Sequence, residues 1–171
     1  ETVANAFLRQ YSCPGYPGWN LKVPDALRLN VFMKEFEDFK HKGEWPNFVT
    51  VYLPSDHTSG TGENAPTPTS MAADNDLAVG KLVDAISHSP FWAKTCIFVI
   101  EDDPQAGFDH VDGHRSVCWV VSPYTKRRQI VSEFYNQTSV LHTMELILGL
   151  LPMNQMDAMA PVMRECFVET H

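Results

Sequence analysis

The sequence predicts an α/β fold, a mostly parallel sheet with helices on both faces. Three short apolar runs have the composition of buried strands, and stretches with helical periodicity lie between them. Runs that are apolar on both faces belong in a sheet that is covered on both faces. The 171 residues, 44% of them hydrophobic and 20% charged, are enough for one compact domain with its own core, and two independent domains are not expected.

The predicted strands are short and rich in β-branched and aromatic residues. They cover residues 48–53 (FVTVYL), 95–100 (TCIFVI) and 117–121 (VCWVV), and turn-forming or polar residues end each of them. The predicted helices run from Asp25 to Gly43, over residues 72–87 and over residues 139–150. Their apolar positions repeat at helical spacing: Leu29, Phe32, Met33, Phe36, Phe39; Val79, Leu82, Val83, Ile86; Val140, Met144, Ile147, Leu148, Leu151.

Two polar turns follow the first two predicted strands. A strand, a helix and a strand with short connections form a right-handed βαβ unit, so the strands at 48–53 and 95–100 are expected to run parallel. The turns that follow them read PSDHTSG and EDDPQAG. In open α/β sheets ligands bind beyond the carboxyl ends of the strands, so these two turns are expected to converge on a ligand.

The stretch VIEDDPQAGFDHVDGHR, residues 99–115, concentrates acids and histidines. Mixed carboxylate and imidazole sets suit zinc, manganese or iron-like ions, whereas purely oxygen ligands favour calcium or magnesium. Arg115 can bind a phosphate group through two hydrogen bonds. A solvated surface turn is the alternative interpretation of the acidic pair. The candidate ligands from both turns are Asp56, His57, Asp102, Asp103, Asp109, His110, Asp112 and His114.

Charge and composition make several classes of protein poor candidates. The formal net charge of -8 offers no basic surface for nucleic acid or anionic lipid, so no nucleic-acid partner is expected. No apolar run reaches the roughly 18 residues of a transmembrane segment. The four cysteines form no CxxC pair, which argues against a zinc knuckle, and a disulfide between Cys13 and Cys166 stays open at this point.

Several long segments resemble one known family. YLPSDHTSG, AVGKLVDAISHSPFWAKTCIFVIEDDPQAGFDHVDGHRS, VVSPYTKR and QTSVLHTMELILGLLPMNQMDAMA are similar to the C-terminal half of bacterial phosphoesterases. That family includes phospholipase C-like and acid phosphatase-like enzymes and belongs to the alkaline phosphatase superfamily. The resemblance covers nearly the whole chain. It implies a partial alkaline phosphatase-like fold, with residues 1–171 as the C-terminal part of an incomplete phosphoesterase domain.

The resemblance also implies roles for individual residues. Asp102 and Asp103 match the family's metal-binding acidic pair, and Asp56 is a further metal ligand. His57 and His110 match histidines that bind metal or the substrate phosphate and are assigned as catalytic. His114 and Arg115 are assigned to substrate binding. The implied cofactor is a divalent metal ion, with Zn, Mn, Ca and Mg all open.

The family's hydroxyl nucleophile and its first metal motif do not occur in the sequence. The nucleophile is therefore expected before Glu1, and the 171 residues alone are expected to be inactive. The expected function is metal-dependent hydrolysis of phosphate mono- or diesters, on a small phosphorylated substrate. The resemblance also implies an exported protein, and an uncovered sheet edge predicts self-association.

Two other functions stay open from the sequence. The first is a non-catalytic ligand-binding or surface-interaction module that keeps the phosphoesterase fold. The second, less favoured, is a metallohydrolase that uses the same ligands on an amide or carboxylic ester.

Overall fold

The computed structural model describes residues 3–104, 112 and 114–168. The chain divides into two compact units, Glu1–Pro90 and Phe91–His171, and each is described by itself. His110 and Asp109, two of the predicted site residues, lie outside the described residues.

The first unit consists of helices and irregular segments. It contains the short helix α1 (Ala6–Arg9), the long helices α2 (Asp25–Lys42) and α3 (Pro68–Ser87), and a 3-10 turn at Ser55–His57. Helix α2 ends at Gly43, whose left-handed φ of 69° lets its N–H bond back to Lys40. Thr67 caps α3 by accepting a hydrogen bond from the Ser70 amide.

Packing of α2 against α3 forms the core of this unit. Phe36 is fully buried, and the Trp45 ring meets it edge-on with 5.0 Å between ring centroids. This arrangement confirms the helical periodicity seen in the sequence, because the buried apolar side chains fall on one face of each helix. These side chains are Leu29, Phe32, Phe36, Met71, Ala78, Leu82 and Ile86.

The second unit combines a small sheet with helices. Strands β1 (Ile97–Ile100) and β2 (Cys118–Val121) pair antiparallel, with Ile97 opposite Val121 and Ile100 opposite Cys118. Helices α4 (Gln137–Leu148) and α5 (Gln155–Ala158) follow. Asn136 begins α4 with a capping box, and Gly149 closes it at φ 69°. Short 3-10 turns lie at Trp92–Lys94 and Arg164–Cys166.

The mixed α/β composition agrees with the prediction, but the sheet differs from the predicted parallel one. Within the described part of the chain, the sheet has two antiparallel strands. Residues 48–53 form no strand there, and Phe48 and Tyr52 stay 59% and 47% exposed. The reason is that β-branched and aromatic residues favour extended backbone, whereas a strand also needs a hydrogen-bonding neighbour, which composition does not specify.

Two further features bear on the earlier expectations. All four cysteines are free thiols, so Cys13 and Cys166 form no disulfide. Among the helices of the described residues, none is both long enough and apolar enough to cross a membrane.

Candidate functional site

The 3-10 turn Ser55–His57, called the histidine turn below, brings two predicted site residues to the surface of the first unit. Pro54 begins the turn, and the amides of His57 and Thr58 close it onto the carbonyls of Pro54 and Ser55. Ser55 is 2% exposed, whereas Asp56 and His57 are exposed. The turn therefore has a buried base and presents a carboxylate and an imidazole to solvent.

The backbone contacts of His57 select one form of its neutral ring. Its Nδ1 lies 3.1 Å from the carbonyl oxygen of Thr58. Because a carbonyl oxygen only accepts, this contact assigns the proton to Nδ1 and leaves the lone pair of neutral imidazole on Nε2. Nε2 is the nitrogen that can act as a metal ligand or a proton acceptor.

An aromatic side chain packs against one side of the His57 ring. Trp19 meets it edge-on with 4.8 Å between ring centroids, and Trp19 also stacks on Tyr52 at 6.3 Å. The hydroxyl of Tyr16 donates to the Tyr52 carbonyl at 2.8 Å, and burial raises the pKa of Tyr16 to about 12. Tyr16 is therefore a neutral phenol that supports the aromatic cluster.

Helix α3 contacts both sides of the histidine turn through one side chain. The Nδ2 of Asn75 donates to the Leu53 carbonyl at 2.8 Å and lies 3.5 Å from Oδ1 of Asp56. The same nitrogen donates at 3.0 Å to Asp25, on the first turn of α2. Side chains of α2 and α3 therefore hold the histidine turn in place.

The residue after the turn is held in a conformation that side chains rarely adopt. Thr58 has φ 61° and ψ 169°, a region populated almost only by glycine. Its hydroxyl oxygen accepts a hydrogen bond from the Gly60 amide at 3.2 Å. This strain lies directly beside His57, where a fixed geometry would serve a chemical role.

In the second unit, the acidic strand end, Glu101–Asp103, follows β1. The carbonyl of Glu101 accepts from the Ser116 hydroxyl at 3.0 Å, and its carboxylate accepts from the Val117 amide at 3.2 Å. The Asp102 carbonyl accepts a hydrogen bond from the side chain of Gln137. The side chains of Asp102 and Asp103 are exposed at the surface.

The other described candidates of this unit, Asp112, His114 and Arg115, lie at the surface as well. The Nδ1 of His114 is 3.1 Å from Oδ1 of Asp112, and the His114 side chain is 97% exposed. The amide of Arg115 donates to the Asp112 carbonyl at 3.1 Å, and its side chain is exposed. Asp112 thus organises the backbone before the predicted phosphate-binding arginine.

The described residues supply part of a metal-ligand set. Across residues 3–104, 112 and 114–168, no three His, Cys, Asp or Glu side chains cluster closely enough to hold a metal ion. Consecutive exposed carboxylates at Asp102 and Asp103 are still oxygen donors that suit a divalent cation. Their chemistry fits such an ion as two ligands of a larger set.

Sequence inspection did not identify the residues that hold the histidine turn, namely Trp19, Asp25, Arg28, Tyr52 and Asn75. A signal was present for the charged pair. Asp25 and Arg28 lie on the same helical face as Leu29 and Phe32, and charged residues on an apolar face need partners when they are buried.

Comparison with known proteins assigns the family. Residues 9–151, which include both the histidine turn and the acidic strand end, match the model of the Phosphoesterase family. No curated protein and no solved structure matches the chain significantly. The match covers well over half of the sequence, and the chain belongs to the phosphoesterase family.

Proposed function

We propose that this protein hydrolyses phosphate mono- or diesters with the help of a divalent metal ion. The observation that carries the proposal is the histidine turn, which lies within the matched residues 9–151. It presents His57 at the surface with Nδ1 bound to a backbone carbonyl. Membership of the phosphoesterase family supports phosphate esters as the substrate class and small phosphorylated molecules as substrates.

The side chains have separate roles in this proposal. His57 and His110 are the catalytic histidines and exchange protons with, or bind, the reacting phosphate. The exposed guanidinium of Arg115, together with His114, binds the non-bridging phosphate oxygens, because a guanidinium fits two oxygens at once.

The metal ion is assigned to carboxylate ligands. Asp102 and Asp103 would hold it at the acidic strand end, with Asp56 as a further ligand. A bound divalent ion neutralises charge that develops on a phosphate in the transition state. None of these 171 residues is assigned as the hydroxyl nucleophile, because the family's nucleophile motif does not occur in the sequence.

The same proposal extends to the domain and its sheet. We assign residues 1–171 to the C-terminal part of a larger phosphoesterase domain, in which further strands join the antiparallel pair in a mostly parallel sheet. Exposed apolar side chains on and beside the strand pair support this, since Ile100, Val117 and Trp119 are 45%, 45% and 49% exposed. The same surface would let this portion self-associate when it is isolated.

A second candidate function is a non-catalytic ligand-binding or surface-interaction module that keeps the family fold. Such a module would hydrolyse no phosphate ester even as the whole protein.

Substrate and metal dependence test the proposal together. The protein expressed from its whole reading frame is assayed with p-nitrophenyl phosphate, bis-p-nitrophenyl phosphate and p-nitrophenyl acetate, before and after chelation. We expect hydrolysis of a phosphate ester that chelation abolishes and divalent metal restores. Metal content by plasma mass spectrometry is expected to fall in Asp103→Ala.

Each contrary result points to a different alternative. Hydrolysis of the acetate alone would indicate an amide or ester hydrolase. Absence of any hydrolysis by metal-loaded protein would favour the binding module.

A further inference from the structure

A buried ion pair lies at the start of α2, below the histidine turn. Asp25 and Arg28 are both 0% exposed, and the Nε of Arg28 lies 3.1 Å from Oδ1 of Asp25. Removing two charges from water costs more than their attraction returns unless further hydrogen bonds satisfy them. The partners of their remaining polar atoms therefore indicate what the pair does.

The Asp25 carboxylate holds the base of the histidine turn. Its Oδ2 accepts from the Ser55 amide at 2.9 Å and from Asn75 Nδ2 at 3.0 Å. Asn75 in turn bonds the Leu53 carbonyl. The carboxylate thus fixes the first residue of the turn directly, and the residues before it through Asn75.

The Arg28 guanidinium holds the loop that packs on His57. Its Nη1 donates to the carbonyls of Pro17 and Gly18 at 2.7 and 2.6 Å, and its Nη2 donates to that of Asn20 at 2.6 Å. These carbonyls flank Trp19, whose ring contacts the His57 ring. Asp25 therefore bonds the first residue of the turn that carries His57, and Arg28 bonds the backbone on both sides of Trp19, whose ring contacts His57.

The strained Thr58 gives an independent reason for such an anchor. A threonine at φ 61° and ψ 169° persists only when surrounding contacts fix the backbone on both sides. The hydrogen bonds of Asp25 to Ser55 and of Asn75 to Leu53 constrain the backbone on the amino-terminal side of the strained residue.

We infer that Asp25, Arg28 and Asn75 form a positioning device that fixes the orientation of His57 for phosphate-ester hydrolysis. The inference rests on the proposed function, because it assigns these three residues to the reaction without contact with the substrate. A purely structural role is the competing interpretation. In that case stability would depend on the charge pair and the packing, and loss of the specific hydrogen bonds to residues 17–20 and 53–55 would not affect catalysis.

Two substitutions separate these roles. Arg28→Lys keeps a positive charge beside Asp25, but one ammonium nitrogen cannot bond three carbonyls and a carboxylate together. Asn75→Ala leaves the ion pair intact and removes the bonds to Leu53 and Asp25 together with the 3.5 Å contact to Asp56, so it decides the question if Arg28→Lys fails to fold. Phe36→Leu, roughly 16 Å further along α2 than Asp25, is the control for a general loss of stability.

Steady-state kinetics and amide hydrogen exchange are measured on the whole protein. We expect both test variants to lower kcat for p-nitrophenyl phosphate by about 10- to 100-fold, with KM within about twofold of wild type. Exchange of residues 53–58 is expected to be about tenfold faster in the test variants and unchanged in Phe36→Leu.

Several results would overturn the inference. The first is a wild-type kcat together with wild-type amide exchange at residues 53–58 in Arg28→Lys and Asn75→Ala. An equal loss of kcat in Phe36→Leu would also overturn it, because the effect would then follow from general destabilisation. A wild-type protein without phosphoesterase activity would instead overturn the proposed function, and the exchange measurement alone would then decide whether these residues hold the turn.

Discussion

The histidine turn and the acidic strand end carry predicted site residues, and the molecule holds them in different ways. Side chains of two helices anchor the histidine turn, with Asp25 and Arg28 fully excluded from solvent and Asn75 half-buried. The acidic strand end is anchored at the surface, where Ser116 and Gln137 bond the carbonyls of Glu101 and Asp102.

The two regions therefore differ in how far their geometry depends on buried side chains. The geometry of the histidine turn depends on the buried charges of Asp25 and Arg28, so substitutions of these two residues should affect both stability and activity. At the acidic strand end, strand pairing places the backbone and leaves the carboxylates in water, so substitutions there should affect activity alone. The predictions below test that contrast.

The largest effect is expected for Asp25→Ala. It leaves the Arg28 guanidinium buried without its carboxylate, which typically costs about 3 to 5 kcal/mol in the free energy of unfolding. Urea unfolding measures the loss. Asp38→Ala, an exposed acid on the same helix, is the control and should stay within about 0.5 kcal/mol. A loss below about 1 kcal/mol for Asp25→Ala would contradict the buried-anchor interpretation.

Thr58→Gly should stabilise the fold by about 1 kcal/mol. The substitution relieves a backbone strain of about 1 to 3 kcal/mol, and the added freedom of glycine in the unfolded chain offsets part of that gain. Thermal unfolding measures the change. Asn64, at φ 65°, is the matched position, and Asn64→Gly should have a smaller effect because asparagine tolerates this region. Equal effects at both positions would count against strain at Thr58.

Glu145→Gln tests a buried carboxyl pair of the second unit. Burial raises the pKa of Glu145 above its ordinary value of 4.5, and the Asp157 carboxylate raises it further while His142 opposes this. Burial also acts to raise the pKa of Asp157. Hydrogen bonds that the Asp157 carboxylate accepts from the amides of Met153 and Asn154 and from the Glu145 side chain outweigh burial. They hold the pKa of Asp157 below its ordinary value.

The sign of the pH effect follows from these shifts. Above pH 4.5 the unfolded state releases the Glu145 proton more readily than the folded state, so wild-type stability falls as pH rises towards the raised folded pKa. Glutamine does not ionise. Glu145→Gln should therefore melt a few degrees higher than wild type at pH 8, with a smaller difference at pH 5. A difference that is the same at both pH values would show that Glu145 ionises normally.

The smallest effect is expected for Asp102→Asn, which should change the free energy of unfolding by less than about 0.5 kcal/mol. Its side chain is exposed, and the hydrogen bond to Gln137 uses the backbone carbonyl. Urea unfolding checks this. A loss comparable to that of Asp25→Ala would remove the contrast between the two regions.

The sequence predicted the helices well because their signals are local. Apolar spacing located Leu29, Phe32 and Phe36, and glycine marked the end of α2. The sheet was predicted less well, since pairing depends on neighbours remote in the chain. Residues 48–53 have the composition of a strand but no strand partner among the described residues.

The site shows the same division between local and tertiary information. The motif Ser55-Asp56-His57 was identifiable as a polar turn, and in the structure Asp56 and His57 of this turn are exposed to solvent. The anchor below it was not identifiable, because it joins Asp25 to Asn75 across a long stretch of sequence. Only the tertiary fold brings these side chains together.

The most direct test of the account is hydrolysis of p-nitrophenyl phosphate by the whole protein and by His57→Asn and Asp102→Asn. One residue comes from each region, and both side chains are exposed, so neither variant should unfold. The account predicts a fall in kcat/KM of at least about 100-fold for each, with an unchanged melting temperature. Activity of both variants within about twofold of wild type would contradict it.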